Sequence, residues 1–309
     1  MNKLKSTIKL IFTFLITLTI SSCAKEEPHT VHRWGYYNRT EKTHSRTCLV
    51  CGEVEEQEHE DYVCETCADF KILSLGFVEG GDEAHSDFAK EANEWFPKMG
   101  KENGFLYDFS TDWGKLNDET LENYDLVIFL NNLPSNKSQR EAFENYMENG
   151  GAFLGFHVCA FTTNASGWDW YHNVFLGSGN FKSNTWNPTK ELIKVETHDY
   201  FATEDLPDTF MSSYNEWYAW SNDLTQNEDI TILMSLDERS YPVGDKQGEI
   251  WTEGYYPVAW TNNNYKMVYL NLGHNLMYYN TYEKESKTFE CEELCQFVIN
   301  AMYDMAYYN

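Results

Sequence analysis

Three long apolar segments separated by helical patterns constrain the fold of this chain more than any other feature of its sequence. The segments are KILSLGFV, YDLVIFLN and GAFLGFH, at residues 71–78, 124–131 and 151–157. Between them, apolar residues recur at helical spacing from Phe88 to Met99 and from Ala142 to Met147. Strands that are apolar along their whole length are buried on both faces, and their alternation with helices is typical of parallel sheets. The sequence therefore predicts an α/β fold with a mostly parallel sheet and helices on both faces.

Local signals set the ends of the predicted helices and add further strands. Gly100 and Gly104 predict the end of the first helix. Asn136 and Gln139 have the spacing of a capping box at the start of the second helix, and Gly150 follows its end. Further strands are predicted at residues 191–197, 230–236, 256–261 and 266–273. A last helix is predicted from Leu294 to Met305.

The N-terminus has the pattern of an export signal. Three lysines flank the start of an apolar run, Ile8 to Ile20, that is shorter than the ~20 residues of a membrane-spanning helix. The following TISSC resembles the lipobox of bacterial lipoproteins, which predicts a signal peptide over residues 1–22 and a lipidated Cys23. We therefore expect an exported protein that is lipid-anchored to a bacterial membrane. The next residues, AKEE, favour the outer membrane, with the protein facing the periplasm or the cell surface. The alternative is an ordinary secreted protein with an unmodified Cys23.

Residues 23–69 differ from the rest of the chain because they contain histidines and cysteines but little apolar periodicity. Their cysteines form two CxxC pairs, Cys48 with Cys51 and Cys64 with Cys67. Two such pairs can hold one zinc ion between four thiolates, and a segment too small for a core needs a link of this kind. The sequence predicts a structural, zinc-ribbon-like segment. Two disulfides are the alternative, because an exported chain meets an oxidising compartment.

The charge of the chain excludes one class of partner. The formal net charge is −26, with 49 acidic against 23 basic residues. A surface of this kind repels phosphate backbones and anionic lipid headgroups. We therefore expect no nucleic-acid binding, and contact with a membrane only through the lipid anchor.

Three histidines follow predicted strands. His85 begins a helix after the first strand, His157 ends the GAFLGFH segment, and His274 follows the strand at 266–273. Because ligand sites in open α/β sheets form beyond the carboxyl ends of strands, these side chains are expected to share one site. Histidine titrates near neutral pH, which suits acid–base catalysis or metal binding. Cys159, two residues beyond His157, is the competing candidate for a nucleophile.

Six segments resemble, in order along the chain, the pattern of the ThuA-like (trehalose utilisation) family. They are YDLVIFLNN, ENYMENGGAFLGFHVCAF, WDWYHNVFLGS, ETHDYFATEDLPDTFMSSYNEWYAW, YPVAWT and KMVYLNLGHN. The resemblance covers about residues 70–305, and we predict a ThuA-like domain over residues 70–309. It implies a flavodoxin-like fold of the class I glutamine amidotransferase type, and a small carbohydrate as the substrate class.

The resemblance also implies site residues. The marked positions of the family fall on His157, His198, Glu216, Trp260 and His274, and an earlier histidine of the family corresponds to His85. Asp199 stands where the family usually has proline, which affects the local turn but not His198. In glutamine amidotransferases the equivalent strand ends in a G-x-C-x-G elbow that carries the nucleophile, and here His157 takes that place. The resemblance therefore favours His157 over Cys159 and disfavours a cysteine-dependent amidotransferase reaction.

Together these observations predict an enzyme that acts on a disaccharide or keto-sugar, as a hydrolase or an isomerase. Its catalytic candidates are His85, His157, Glu216 and His274. Aromatic neighbours of Glu216 suit the apolar faces of sugar rings and would raise its pKa; the substrate-binding candidates are Trp217, Tyr218, Trp260 and His198. A divalent metal held by two or three of the catalytic candidates is a further expectation. The alternative is a surface lipoprotein that binds a carbohydrate or a partner without catalysis.

Overall fold

The computed structural model describes residues 31–59, 62–78, 82–185, 187–241, 245–246, 249–250, 254–278, 280–281 and 283–308. The predicted signal peptide at 1–22 and the predicted lipidation site Cys23 lie outside these residues. None of the helices in the described ranges is both long enough and apolar enough to cross a membrane.

The described part of the chain contains four α-helices, several short 3₁₀ or π turns, and eighteen strands. The helices are α1 (Glu83–Asn103), α2 (Asp118–Leu121), α3 (Lys137–Glu148) and α4 (Glu292–Tyr303). The strands are β1 (Asn38–Arg39), β2 (Thr43–Thr47), β3 (Val54–Glu58), β4 (Lys71–Gly76), β5 (Leu106–Ser110), β6 (Leu126–Leu130), β7 (Ala152–Phe156), β8 (Phe181–Asn184), β9 (Leu192–Val195), β10 (Thr209–Met211), β11 (Tyr218–Trp220), β12 (Ile230–Leu236), β13 (Asp245–Lys246), β14 (Glu249–Ile250), β15 (Pro257–Asn262), β16 (Lys266–Leu270), β17 (Leu276–Tyr278) and β18 (Glu283–Glu285).

Nine strands form the central sheet, in the order β10-β9-β12-β15-β16-β7-β6-β4-β5. The five strands from β16 to β5 are parallel, and the other four are joined by antiparallel pairs. Because only β15 and β9 are reversed, seven of the nine strands run in one direction. Three residues connect β15 to β16, which is enough for a hairpin but far too few for a parallel crossover. The predicted α/β fold with a mostly parallel sheet is confirmed.

Helices cover both faces of the sheet, as the uninterrupted apolar strands predict. Along β4, Ile72 packs in the core that includes α1 and α4, whereas Leu73 and Leu75 pack in the core that includes α2 and α3. Every residue of β6 and β7 is buried. Since successive side chains of a strand point to opposite faces, these central strands contribute to both cores.

The first helix, α1, returns the chain from the carboxyl end of β4 to the start of β5. Its N-cap is Asp82, whose carboxylate accepts a hydrogen bond from the Ala84 amide at 3.0 Å, and it ends at Gly104 in the left-handed region, with φ 111°. The predicted stop at Gly100 is wrong. The helix continues through Gly100, whose missing side chain leaves room for the Phe105 carbonyl; a Cβ there would lie 2.5 Å from that oxygen.

The N-terminal segment forms its own antiparallel sheet, in the order β1-β2-β3. Within the segment, the Arg39 guanidinium forms an ion pair with Asp69 and donates to the Cys67 carbonyl at 2.6 Å. Tyr303 of α4 donates to the same Asp69 carboxylate at 3.0 Å. The Asp69 amide donates to the Gly104 carbonyl at 2.7 Å, so the segment lies near the carboxyl end of α1.

Candidate active site

Three histidines meet beyond one edge of the sheet. His157 directly follows β7, His274 follows β16 after a short turn, and His85 lies in the first turn of α1, which begins after β4. Because β4, β7 and β16 are parallel, their carboxyl ends share this edge. The ring centroids are 5.2 Å apart for His85 and His157, 4.7 Å for His85 and His274, and 5.6 Å for His157 and His274. The structure therefore brings the three predicted histidines together.

His157 has a backbone conformation that is uncommon for a residue with a side chain. Its φ is 45°, in the left-handed region, and Asn131 at the end of the neighbouring β6 has a φ of 53°. The Tyr269 hydroxyl donates to the His157 carbonyl at 2.9 Å, and the Asn131 side chain accepts from the Val158 amide at 3.2 Å. Such a conformation costs about 1–3 kcal/mol and persists where its neighbours enforce it. The strand thus ends in a sharp turn at the position that the family resemblance gives to the elbow.

Hydrogen bonds fix the orientation of two of the imidazoles. Nδ1 of His157 lies 3.0 Å from Oδ1 of Asn271, and Nδ1 of His274 lies 2.6 Å from the carbonyl oxygen of Asn275. Both partner atoms are acceptors, so each Nδ1 carries the proton and donates it. In a neutral ring, Nε2 then presents its lone pair to another partner.

The Nε2 atoms of these rings face the carboxylate of Glu216. Those of His157 and His274 each lie 3.8 Å from Oε2 of Glu216. His85, Glu216 and His274 each offer one atom that could bind a metal, and these three atoms lie within 4.8 Å of one another. Nδ1 of His85 lies 3.3 Å from Oδ2 of Asp82, while its Nε2 has no hydrogen-bond partner within the described part of the chain. Three imidazoles with occupied Nδ1 atoms therefore surround one carboxylate.

Burial keeps the two most enclosed imidazoles neutral. It lowers the pKa of His157 well below the usual value, and the neighbouring His85 adds to the effect. Burial also lowers the pKa of His274 to about 3, again with a contribution from His85. The hydrogen bond with His85 lowers the pKa of the Asp82 carboxyl well below its usual value. Neutral imidazole is the form that binds a metal or accepts a proton.

Comparison with known proteins identifies the family. The model of the family described as "ThuA: Trehalose utilisation" matches residues 77–288. A ThuA-like protein of solved structure from Bacteroides uniformis is 36% identical, and the match covers 76% of this chain and 90% of that one with a TM-score of 0.67. The chain belongs to the ThuA family. A second ThuA-like structure, from Parabacteroides merdae, is 16% identical over 76% of this chain and 89% of that one, with a TM-score of 0.52, and supports the fold alone. No curated protein matches the chain.

Asparagine side chains support the histidine cluster of this ThuA-family protein, and none of them was predicted from the sequence. Oδ1 of Asn215 accepts from the amides of Gly273 at 2.8 Å and His274 at 3.1 Å. Nδ2 of Asn184 donates to Oε1 of Glu216 at 2.5 Å. The signal that would have found Asn131, Asn215 and Asn271 is a polar residue beside an apolar strand segment, as in the sequences FLNN, YNEW and LNLGHN.

One predicted substrate-binding residue, Tyr218, lies against the cluster. Its ring stacks on His157 with the centroids 4.1 Å apart, and burial, followed by the charge of Glu216, raises the pKa of its phenol. Phe181 packs against Tyr218, and Phe161 packs against both rings. Because Phe161 is exposed, these three rings form an aromatic wall that connects the ThuA-family cluster to the surface.

The other three predicted substrate-binding residues lie elsewhere. Trp217 is fully buried and donates to Oγ1 of Thr189 at 3.0 Å, because adjacent side chains of an extended chain point to opposite sides. Trp260 is fully buried within β15, where its indole donates to a backbone carbonyl at 2.8 Å. His198 follows β9, one of the two reversed strands, so it lies at the opposite edge of the sheet, beside Asp208. Trp217 and Trp260 lie in the core, and His198 lies across the sheet from the histidines. The structure therefore adds no support for the predicted binding role of these three residues.

Cys159 is fully buried behind the turn at His157. Its Sγ packs so closely that a Cβ on Gly155 would lie 2.6 Å away, and burial raises the pKa of the thiol. A buried, neutral thiol is a poor nucleophile. This placement supports His157, rather than Cys159, as the residue that faces a ligand.

The four N-terminal cysteines divide between two clusters, which corrects the prediction of a single four-cysteine site. The first Cys/His set consists of His44, His59, Cys64 and Cys67, and the second Cys/His set consists of His32, Cys48 and Cys51. The ligand-type atoms within each set lie within 4.8 Å of one another. The spacing of the cysteines alone is compatible with either arrangement; only the fold brings histidines to each pair.

Proposed function

We propose that this chain is a metal-dependent enzyme that hydrolyses or isomerises a carbohydrate-derived carbonyl compound. His85, His274 and Glu216 would hold the metal, and His157 would accept a proton beside it. The observation that carries the proposal is the shared orientation of the cluster, in which each imidazole has an occupied Nδ1 and the Nε2 atoms of His157 and His274 face Glu216.

The donor set fits a first-row divalent metal. Two imidazole nitrogens and one carboxylate suit zinc, iron or manganese, whereas magnesium and calcium prefer oxygen ligands. Nε2 of His274 and Oε2 of Glu216 lie 3.8 Å apart, close to the ~3.4 Å expected for two ligands about 2.1 Å from one ion. His274 is held neutral by burial, as a ligand must be. A metal bound here would polarise a carbonyl group or lower the pKa of a bound water.

The surrounding side chains suit the roles of orientation and proton transfer. His157 is neutral, and the hydrogen bond from its Nδ1 to Asn271 leaves Nε2 as the basic atom. Asn184 holds one oxygen of Glu216, so that the other oxygen faces the histidines. The aromatic wall of Tyr218, Phe181 and Phe161 offers a flat apolar face for a sugar ring. The family description, trehalose utilisation, agrees with a carbohydrate as the substrate class.

Metal analysis and turnover assays on four variants test this proposal. Glu216→Gln and His274→Ala should each lose one metal ion per chain, the one held by the histidine cluster, and also the turnover of disaccharides or their 3-keto derivatives. His157→Ala should keep the metal but lose turnover, because it removes only the base. His198→Ala is the matched control, since that histidine lies at the opposite edge of the sheet and should keep both. Full metal content and unchanged turnover in Glu216→Gln would end the assignment.

The alternative of a non-catalytic binding protein predicts a different result in the same experiment. Calorimetry would detect binding of the same sugars without any turnover. The affinity would also be unchanged in His157→Ala, because binding alone does not need a base. That combination of results would replace the enzyme by a carbohydrate-binding protein.

We also propose that the protein is exported and lipid-anchored at Cys23, on the basis of the lysines, the apolar run and TISSC in its sequence. Expression with a labelled fatty acid, followed by membrane fractionation, tests this part. The wild-type chain should carry the label and sediment with membranes, and Cys23→Ser should do neither. An unlabelled wild-type chain in the soluble fraction would contradict the anchor.

A further inference from the structure

The buried residues of the N-terminal segment are mostly metal-ligand types. Across its described residues, 31–59 and 62–69, the buried side chains are His44, Cys48, Val63 and Cys67. Large apolar residues of the segment, such as Tyr36 and Val50, are exposed. A folded body with one buried aliphatic side chain has no hydrophobic core to stabilise it, so it requires another link.

The first Cys/His set has the dimensions of a tetrahedral zinc site. Sγ of Cys64 lies 3.5 Å from Sγ of Cys67 and 3.5 Å from Nδ1 of His44, and Sγ of Cys67 lies 3.8 Å from Nδ1 of His59. Ligands at about 2.3 Å for sulfur and about 2.05 Å for nitrogen, in a tetrahedron, are separated by about 3.8 Å between sulfurs and about 3.6 Å between sulfur and nitrogen. The observed separations agree with this geometry to within about 0.3 Å.

The second Cys/His set repeats the arrangement with three described ligands. Nδ1 of His32 lies 3.6 Å from Sγ of Cys51, and Cys48 belongs to the same cluster. The Val50 amide lies 3.5 Å from Sγ of Cys48, and Gly52 follows in the left-handed region with φ 76°. An amide that points at the first sulfur of a CxxC pair is the arrangement of a zinc knuckle. In the other pair, the Cys64 amide lies 3.3 Å from Sγ of Cys67.

Outer polar contacts, a hydrogen bond for His59 and a longer contact with a carboxylate for His32, accompany the orientation of Nδ1 towards sulfur. Nε2 of His59 donates to the Thr40 carbonyl at 2.9 Å, and Nε2 of His32 lies 3.6 Å from a carboxylate oxygen of Glu53. Metal-bound histidines characteristically use their second nitrogen in this way.

We propose that the N-terminal segment binds two zinc ions, one through His44, His59, Cys64 and Cys67 and the other through His32, Cys48 and Cys51. The first site has two thiolates and two imidazoles and is closed, as structural zinc sites are. The second has three protein ligands in the described residues. Each cysteine pair serves its own ion, so the segment is not a zinc ribbon with a single centre of four cysteines.

Zinc released by a mercurial thiol reagent, and measured with a chromogenic chelator, tests this proposal. The reagent reports thiolate-bound zinc, and the strand-end cluster, which consists of His85, His157, His274 and Glu216, has no cysteine among its ligands. The full chain, purified with a phosphine reductant, should release two zinc ions. Cys64→Ser with Cys67→Ser should release one, and so should Cys48→Ser with Cys51→Ser. His44→Ala with His59→Ala leaves only two ligands at the first site and should also reduce the amount by one, whereas the matched control His198→Ala should still release two.

Three results would overturn the proposal. Release of one zinc from the wild type, abolished in either cysteine double variant and unaffected in His44→Ala with His59→Ala, would restore a single four-cysteine site. Release of no zinc, together with a mass that shows two disulfides in protein purified without the reductant, would replace metal by cross-links. If a variant does not fold, X-ray absorption at the zinc edge of the wild-type protein decides independently. The proposal expects no more than about two sulfur ligands per zinc, because a zinc ion at the histidine cluster would only lower the average, and a value of about four would reject it.

Discussion

The N-terminal segment and the strand-end cluster both gather histidines, but the surroundings of the two groups differ. In the segment, the ligand-type side chains are themselves most of the buried residues. The cluster lies at the edge of a complete α/β core and contains no thiol; its members are His85, His157, His274 and Glu216. Asparagines orient the cluster, and an aromatic wall leads from it to the surface. We therefore expect a metal bound in the segment to be structural, and a metal bound at the cluster to be available for chemistry.

The largest expected effect separates the two regions by function. Glu216→Gln should lower kcat by at least ~100-fold, the lower end of the contribution of a positioned catalytic group, while leaving the melting temperature almost unchanged. Cys64→Ser with Cys67→Ser should do the opposite, with a clear fall in melting temperature and an unchanged kcat where the variant is folded. Parallel measurements of kcat and thermal unfolding check both. Loss of activity in the cysteine variant at a temperature where it is folded would remove the distinction.

The second effect concerns the asparagines that only the strand-end cluster has. Asn271→Leu removes the acceptor for Nδ1 of His157, and we expect a roughly 10–100-fold loss of kcat, the usual effect of removing such a partner. Asn271→Asp keeps an acceptor oxygen and should recover most of the activity. The pH profile distinguishes this positioning role from a general structural defect, because a misplaced base shifts the profile. Equal activity and an equal profile in Asn271→Leu would show that Asn271 does not position His157.

The third effect concerns Arg39, which pairs with Asp69 at the point where the segment meets α4. Arg39→Ala removes the half-buried ion pair with Asp69 and the hydrogen bond to Cys67, so unfolding in denaturant should become easier by about 1.5–3 kcal/mol. Arg46→Ala removes a more exposed pair with Glu55 inside the segment and should cost less than about 1 kcal/mol. Limited proteolysis should cut the segment from Arg39→Ala first. Equal stability losses in the two variants would show that the pair of Arg39 with Asp69 contributes no more than an exposed pair.

The parts of the molecule that sequence predicted well are those specified by local patterns. The strand predicted at 230–236 is β12, and the capping box of α3 has its Gln139 side chain accepting from the Asn136 amide at 3.3 Å. The rule that sites form beyond the carboxyl ends of strands also placed His157 correctly, because the carboxyl ends of parallel strands lie at the same edge of the sheet. The predictions that did not hold depended on strand direction or on long-range packing, which local patterns do not specify. The direction of β9 takes His198 to the far edge, and nothing local indicates it.

The assignment of the cysteines failed for a related reason. Their CxxC spacing determines which two thiols are neighbours, but it does not determine which other residues join them. That depends on how β2 and the loop after β3 fold back, which brings His44 and His59 to Cys64 and Cys67. The asparagines were missed because a polar residue beside a strand resembles an ordinary turn residue until its hydrogen-bond partner is known.

The smallest effect tests whether burial alone keeps an imidazole neutral, apart from either histidine group. His172 is buried, and burial, with the Arg140 charge adding to it, lowers its pKa to about 4. Between pH 4 and pH 6.5 the unfolded chain then binds a proton that the folded chain does not, so stability contributed by this residue falls as the pH falls. From pH 7.5 to pH 5.5 the loss is about 1.3 kcal/mol.

His172→Gln cannot take up this proton and should weaken the acid dependence of unfolding measured at those two pH values. His198→Gln should change it in the opposite direction, because the Thr203 carbonyl and Asp208 raise the pKa of His198. Unchanged acid dependence in His172→Gln would show that burial is not sufficient, and that the neutrality of His157 and His274 depends on the cluster itself.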